Sequence, residues 1–412
     1  MAAASPEHLA QNALQRLLPG LQHPDPVPAS EPWQGESLAS GAAGTALAHI
    51  EHARTEPVPQ QRTHRWESAH LWVRAAGAGG VSASDTCGLF LGVPAVTFTV
   101  HTAGRYRATA PRLLRETVAL THRRVDSATR RLGSDETATF AEYDALFGLT
   151  GLGALLLATA PGEEALERVL AYLVALTRPR FVHGRTVPGW WVSHDPHRGA
   201  SEHFPGGHAN LGMAHGMAGI LALLATAKRA GVTVDGHDEA ILLLLEHLEN
   251  WVQEGPAGPW WPEHLTLGEL ASGRPHWCGP ARPSWCYGTP GIARAGQLAA
   301  LSLGDASRQE FFEHALDRCL SDEAQLARII DAGLCHGWAG LFQTTWRAAA
   351  EATSSNLTGH LPRLAAALAT HAETGTRGQG LLDGSAGTAL ALMTASTGTA
   401  PATGWDTCLL IV

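Results

Sequence analysis

The stretch Asn210–Leu224 reads NLGMAHGMAGILALL, a glycine pair spaced G-x-x-G that runs straight into an apolar segment. The same arrangement recurs as GAAGTAL from Gly41, GVPAVTF from Gly92, GLTGLGALL from Gly148, GTPGIARA from Gly288, GWAGLFQ from Gly337 and GSAGTALAL from Gly384. Only the copy at Gly92 departs from the rule, with Ala95 where the second glycine is expected. A chain of 412 residues would ordinarily suggest two or three domains, but seven copies spread from Gly41 to Gly387 point to one repetitive body. Successive first glycines lie 47 to 72 residues apart, which leaves room for two helices and their loops in each repeat. Glycines permit a tight turn and close backbone approach, and the Ala/Leu run behind them predicts a helix that is apolar nearly all round, as an inner layer requires. Glu164–Leu176 (EALERVLAYLVAL) and Asp238–Leu248 (DEAILLLLEHL) are amphipathic and suit an outer layer. The expectation is an all-α protein of two concentric helical layers.

Composition agrees. The chain is 45% hydrophobic but only 6% aromatic and rich in Ala and Leu, which are strong helix formers, so strands should be minor. A formal charge of -9 is dispersed along the chain, with no basic stripe that would bind nucleic acid. The start lacks a basic segment followed by an apolar one, and no run is long enough to span a bilayer, so the expected location is the cytoplasm. Six cysteines in a chain of this length then favour reduced thiols or metal ligands over disulfides. The ending CLLIV places Cys408 one residue too early for a prenylation box.

Three stretches look non-helical. Residues 55–92 carry Pro and Arg and then Gly, while 178–208 and 257–284 are dense in Pro, Gly, His and Trp. They read as long loops or small insertions within a single domain spanning 1–412, with the insertions placed in 55–91 and 178–208. The second and third lead directly into His215 and Cys286, so they are expected to frame a site.

If the repeats close into a ring, residues just ahead of the first glycines gather in one region. Those residues are Ala214-His215, Cys286-Tyr287 and Cys335-His336. Two thiolates and one imidazole match the ligand set of a catalytic zinc, in which three protein ligands leave a fourth position open. Helix N-termini also favour a thiolate. The plainer reading takes the cysteines as small buried hydrophobes and His336 as a core residue, but the shared register of Cys286, Cys335 and His336 argues against it. Cys278, eight residues ahead of Cys286, is a competing ligand that lies outside that register. His215 occupies the position of His336 in a repeat without cysteine, which suits a general acid or base or a core histidine bonded to a carbonyl. Asp144, four residues before Gly148, either orients His215 or caps a helix. Arg282 and Tyr287 could offer charge or a hydrogen bond to an oxyanion and Trp285 could form a wall, although such groups are also common in plain packing. His194, His197, His203 and His208 suggest a second metal, but their Pro/Gly-rich setting favours solvated loop histidines.

Taken together, NLGMAHGMAGILALL (Asn210–Leu224), RPSWCYGTPG (Arg282–Gly291), CHGWAG (Cys335–Gly340), YDALFGLTGLG (Tyr143–Gly153) and LLDGSAGTALAL (Leu381–Leu392) resemble the repeat signatures of the lanthionine cyclases, the LanC family of lanthipeptide biosynthesis. VPGWW (Val187–Trp191), FPGG (Phe204–Gly207) and WDTCLL (Trp405–Leu410) are also similar to family members, so the resemblance covers nearly the whole chain. It implies an α/α toroid of seven helical hairpins, with a small inserted β-containing lobe in some members. It implies one zinc held by Cys286, Cys335 and His336, proton transfer by His215 and Asp144, and Arg282, Trp285 and Tyr287 lining the site. The activity implied is addition of a peptide cysteine to dehydroalanine or dehydrobutyrine, closing a thioether ring. The partners implied are a dehydrated precursor peptide, a separate dehydratase and an exporter, since the chain is too short to carry a dehydratase of its own. Two rival readings are a non-catalytic zinc-bearing peptide binder on the same toroid and a zinc hydrolase, whose site would ordinarily use His and carboxylates rather than two cysteines.

Overall fold

The computed structural model describes residues 5–24, 31–182, 184–372 and 376–412. All seven glycine motifs start helices as expected, and each helix begins on the residue after the first glycine: Ala42–Thr55, Val93–Ala103, Leu149–Thr159, Met217–Arg229, Thr289–Leu303, Trp338–Ala350 and Ser385–Thr397. They are buried almost all round; in Met217–Arg229, Leu221, Leu223 and Leu224 are each wholly shielded. Burying one leucine contributes about 1.5–3 kcal/mol, so such a helix depends on neighbours on every side.

Seven more polar helices accompany them: Pro6–Leu17, Pro59–Ala76, Ala110–Leu132, Glu164–Leu176, His237–Trp251, Ala306–Leu320 and Asn356–His371. In Glu164–Leu176 the buried face runs through Ala165, Leu166, Val169, Leu170 and Leu173, while Glu164 and Glu167 sit in the first turn, where the helix dipole favours them. Pro59–Ala76 corrects the reading of 55–91 as an insertion. It is an outer helix packed on Ala42–Thr55, with Pro59 at its start and Trp66, Ala69, Trp72 and Ala76 buried. Proline is tolerated in a first turn, and the other exposed positions are so rich in Gln, Arg and His that the buried stripe hardly shows in the composition.

The chain divides into two compact units. The first comprises Met1–Thr117, Ile329–Ala350 and Ser355–Cys408. There the helix Pro6–Leu17 packs on both Asn356–His371 and Ser385–Thr397, so the first helix of the chain serves as outer partner to the last buried one. The second unit comprises Val118–Arg328, Glu351–Ser354 and Leu409–Val412. It holds three antiparallel strand pairs: Arg180–Val182 with Arg185–Val187, Gln253–Gly255 with Gly258–Trp260, and His208–Asn210 with His264–Thr266. The last pair ties the 178–208 segment to the 257–284 segment in the register Asn210↔His264. Both segments thus contribute β structure.

The second glycine of the motif answers a steric demand. A Cβ built on Gly44, Gly219, Gly291, Gly340 or Gly387 would lie 1.9–2.4 Å from the carbonyl oxygen six residues upstream, respectively Leu38, Met213, Trp285, Leu334 and Leu381. At the exceptional repeat, Gly92 enters the helix with φ 75°, a left-handed value, and Ala95 is fully buried without disturbing the helix. Gly44→Ala should therefore cost about 1–3 kcal/mol, the usual penalty of overpacking. Gly359→Ala, on a helical face with nothing within 4 Å, should gain up to about 1 kcal/mol. Urea midpoints of the two variants, moving in opposite directions from the parent, check this.

Candidate metal centre and proton-transfer pair

The loop ahead of helix Thr289–Leu303 carries Ser284, Trp285, Cys286 and Tyr287. Ser284 Oγ donates to the Tyr287 carbonyl oxygen at 2.6 Å and lies 3.6 Å from Cys286 Sγ, which closes the loop on itself. Cys286 is buried. Its carbonyl accepts the Met213 N–H at 3.0 Å, so the loop is stitched to the one that presents His215. Trp285 is fully buried and donates Nε1–H to the Leu409 carbonyl at 2.8 Å, anchoring the loop rather than offering its indole N–H to a ligand.

Cys335 and His336 precede helix Trp338–Ala350 in the same way. The N–H groups of Leu334 and Cys335 both donate to the Leu382 carbonyl, at 2.6 and 2.9 Å. One ligand atom from each of Cys286, Cys335 and His336 falls within 4.8 Å of the others. That suits a metal: at Zn–S and Zn–N lengths of about 2.3 and 2.0 Å, tetrahedral ligands stand roughly 3.5–4 Å apart. Two soft thiolates and an imidazole make a zinc-type donor set, with a fourth position left for an external ligand. Cys278 is exposed and lies outside the group.

Asp144 unites the two readings the sequence left open. Its side chain is fully buried. Oδ1 accepts the N–H groups of Leu146, Phe147 and Gly148 at 3.0, 2.6 and 2.8 Å, which caps the turn. Oδ2 lies 2.7 Å from His215 Nδ1, which fixes the imidazole. Phe140 stacks on the His215 ring at 5.2 Å, and among the described residues Nε2 has no hydrogen-bond partner. Arg198, from the 178–208 segment, brings a guanidinium 3.9 Å from Asp144 Oδ2.

Tyr287 receives the Asn210 Nδ2–H at 3.0 Å on its phenol oxygen. Burial raises its pKa well beyond the usual tyrosine value, so the phenol stays protonated at neutral pH and its hydrogen can be donated elsewhere. Arg282 is half-buried. Glu263 joins this group without any hint from the sequence: burial and then the nearby Cys286 thiol raise its pKa, while the Arg282 cation opposes them. Its carbonyl accepts the Leu211 N–H at 3.0 Å, so it belongs to the strand edge beside Asn210. Asn210 could have been found by aligning NLGMAHG with DAGLCHG, which pairs it with Asp331.

The four loop histidines divide. His197 and His203 are exposed, as a solvated loop requires. His208 corrects that reading, since it is fully buried in the strand pair, with Nδ1 2.9 Å from the His194 carbonyl and its ring among Phe140, Phe204 and His264. Alternate residues of a short paired strand still face a core, even when the flanking residues are Pro and Gly. His194, His208 and His264 do not join a metal group among the described residues.

The chain matches the family model described as lanthionine synthetase C-like protein over residues 32–410, and it belongs to that family. It is 28% identical over 212 residues to the nisin biosynthesis protein NisC of Lactococcus lactis subsp. lactis, a match that takes in 50% of this chain and 49%, about half, of that relative's length. The solved structure of nisin cyclase superposes with a TM-score of 0.79 at 19% identity, covering 98% of this chain and 96% of that one. This likeness establishes the fold as all-α, an α/α toroid. No helix of the described residues is long and apolar enough to cross a membrane.

Burial holds the pKa of both His208 and His264 down at about 4. An unfolded histidine titrates near about 6.5, so between these values the unfolded chain binds more protons and stability falls as pH drops from about 6.5 towards 4. His264→Phe, which keeps the ring contacts to Phe204 and Trp277, should make that decline shallower. Urea midpoints at pH 7, 5.5 and 4.5 check it; parallel profiles for parent and variant would contradict the assignment.

Proposed function

We propose that this chain is a zinc-dependent lanthipeptide cyclase, acting as one catalytic domain on a dehydrated precursor peptide. The observation that carries the reading is the grouping of Cys286, Cys335 and His336 in a chain of the lanthionine synthetase C-like family. These three residues would hold one zinc, which when bound would supply Lewis acidity that favours the thiolate form of a peptide cysteine, a form that free cysteine with a pKa of about 8.5 adopts only in small part at neutral pH.

The remaining work falls to the protein's own groups. In the addition the thiol gives up its proton to solvent, a bond forms between sulfur and the β-carbon of the dehydro residue, its π bond breaks, the electron pair moves to the acceptor carbonyl oxygen, and the α-carbon takes one proton back as the enolate collapses. No atom is lost, so the product is an isomer of the dehydrated peptide. His215 is held through Nδ1 by Asp144 and delivers the proton from Nε2. Tyr287, whose oxygen already accepts from Asn210, turns its own hydrogen towards the enolate oxygen, and Arg282 adds positive charge there. Trp285 keeps the loop in place through Leu409. A non-catalytic zinc-bearing binder would need the Cys286, Cys335 and His336 group but has no use for an imidazole fixed at 2.7 Å by a buried carboxylate. A separate dehydratase supplies the substrate and an exporter removes the product, with the reaction in the cytoplasm.

Cyclisation of a cognate dehydrated precursor should consume one alkylatable thiol per ring at unchanged mass, with regiochemistry distinct from an enzyme-free control. A peptide left fully alkylatable by zinc-loaded protein would favour the binder, and a gain of one water would indicate hydrolysis. His215→Asn should retain zinc by elemental analysis yet slow ring closure at least about 100-fold. Cys286→Ala and Cys335→Ala should lose the metal. If Cys278→Ala empties the site instead, the ligand assignment is wrong.

A further inference from the structure

Three loops that lead into buried helices are built on an Asx side chain used in the same way. Asp144 gives Oδ1 to the turn and Oδ2 to His215 at 2.7 Å. Asn210 accepts the Gly212 N–H on Oδ1 at 2.9 Å and sends Nδ2 to Tyr287. Asp331 accepts the Gly333 N–H on Oδ1 at 3.0 Å, and its Oδ2 lies 3.5 Å from His336 Nε2.

The second and third loops share one frame. Asn210, Gly212, His215 and Gly216 stand in the register of Asp331, Gly333, His336 and Gly337. In both, a Cβ on the last glycine would strike the Asx Oδ1, at 2.4 Å from Asn210 and 2.2 Å from Asp331. The turn-forming task is therefore common to the two repeats, and asparagine performs it as well as aspartate. What differs is the target of the other side-chain atom. An amide faces a phenol in one repeat, and a carboxylate faces an imidazole in the other. Asp383 adds a second carboxylate, with a buried Oδ1 that makes no hydrogen bond among the described residues and stands 3.8 Å from the same Nε2.

Resting on the zinc reading above, we infer that Asp331, with Asp383 behind it, is a positioning residue that orients His336 for the metal. Nε2–H is turned to the two carboxylates, and Nδ1 is the ring nitrogen given to the zinc. A carboxylate partner of this kind fixes the tautomer and ring orientation of a ligand histidine and raises its basicity, and its loss typically weakens metal binding 10- to 100-fold.

Zinc affinity of the full chain, measured by competition with a chromophoric chelator, tests this without any activity assay. Asp331→Asn keeps the Oδ1 acceptor, as Asn210 does naturally, and removes only the charge. Its zinc Kd should rise at least about tenfold, with Asp331→Ala at least as weak. Parental affinity in Asp331→Asn, while Cys335→Ala loses zinc, would show that Asp331 only shapes the turn and would overturn the inference. Zinc retained by Cys335→Ala would overturn the metal reading itself. Should Asp331→Asn not fold, Asp383→Asn at its half-exposed site decides: a weaker Kd supports the inference and an unchanged one sinks it.

Discussion

The structure depends on a close approach, made by five of the seven buried helices, between the helix and the carbonyl group six residues before its second glycine. At Gly291 that carbonyl belongs to Trp285, and at Gly340 to Leu334, the residues directly ahead of Cys286 and Cys335. No side chain can be inserted at the contact, so the backbone between carbonyl and helix has little freedom. The residue that follows the carbonyl is thereby fixed relative to the helix start. Chemistry-bearing side chains occupy that short constrained segment, while the helices behind it supply rigidity through wholly buried Ala and Leu faces.

Polar side chains complete what the glycines begin. Asp144, Asn210 and Asp331 each satisfy backbone N–H groups that would otherwise be stranded near helix starts, and each has an atom left over for a site residue. Turn formation and site geometry are thus carried by the same carboxylate or amide. Substitutions that split the two duties, such as Asp to Asn, separate the charge from the turn at these positions.

The repeat was legible in sequence because glycine spacing and apolar helix starts are local features, and all seven starts fall where the motif places them. Cys286, Cys335, His336, His215 and Asp144 were legible for the same reason, since register within a repeat is a statement about space. Pro59–Ala76 was hidden because its buried stripe is sparse among Gln, Arg and His. His208, Glu263 and the role of Asn210 were hidden because they depend on the pairing of His208–Asn210 with His264–Thr266, two segments far apart in the chain. No short-range pattern encodes that register.

The pairing of Pro6–Leu17 with Ser385–Thr397 has a kinetic corollary. The apolar face of Pro6–Leu17, with Ala10, Ala13 and Leu14, is covered only by helices that lie far along the chain from it. Contacts across such a sequence separation form late, because the loop-closure entropy comes before the contact energy. The unit containing both helices therefore completes its packing only once Ser385–Thr397 has formed, whereas the hairpins Leu149–Thr159 with Glu164–Leu176 and Thr289–Leu303 with Ala306–Leu320 close on contacts that are near in sequence. Until those distant contacts form, Ala10, Ala13 and Leu14 leave the Pro6–Leu17 helix with an uncovered apolar face.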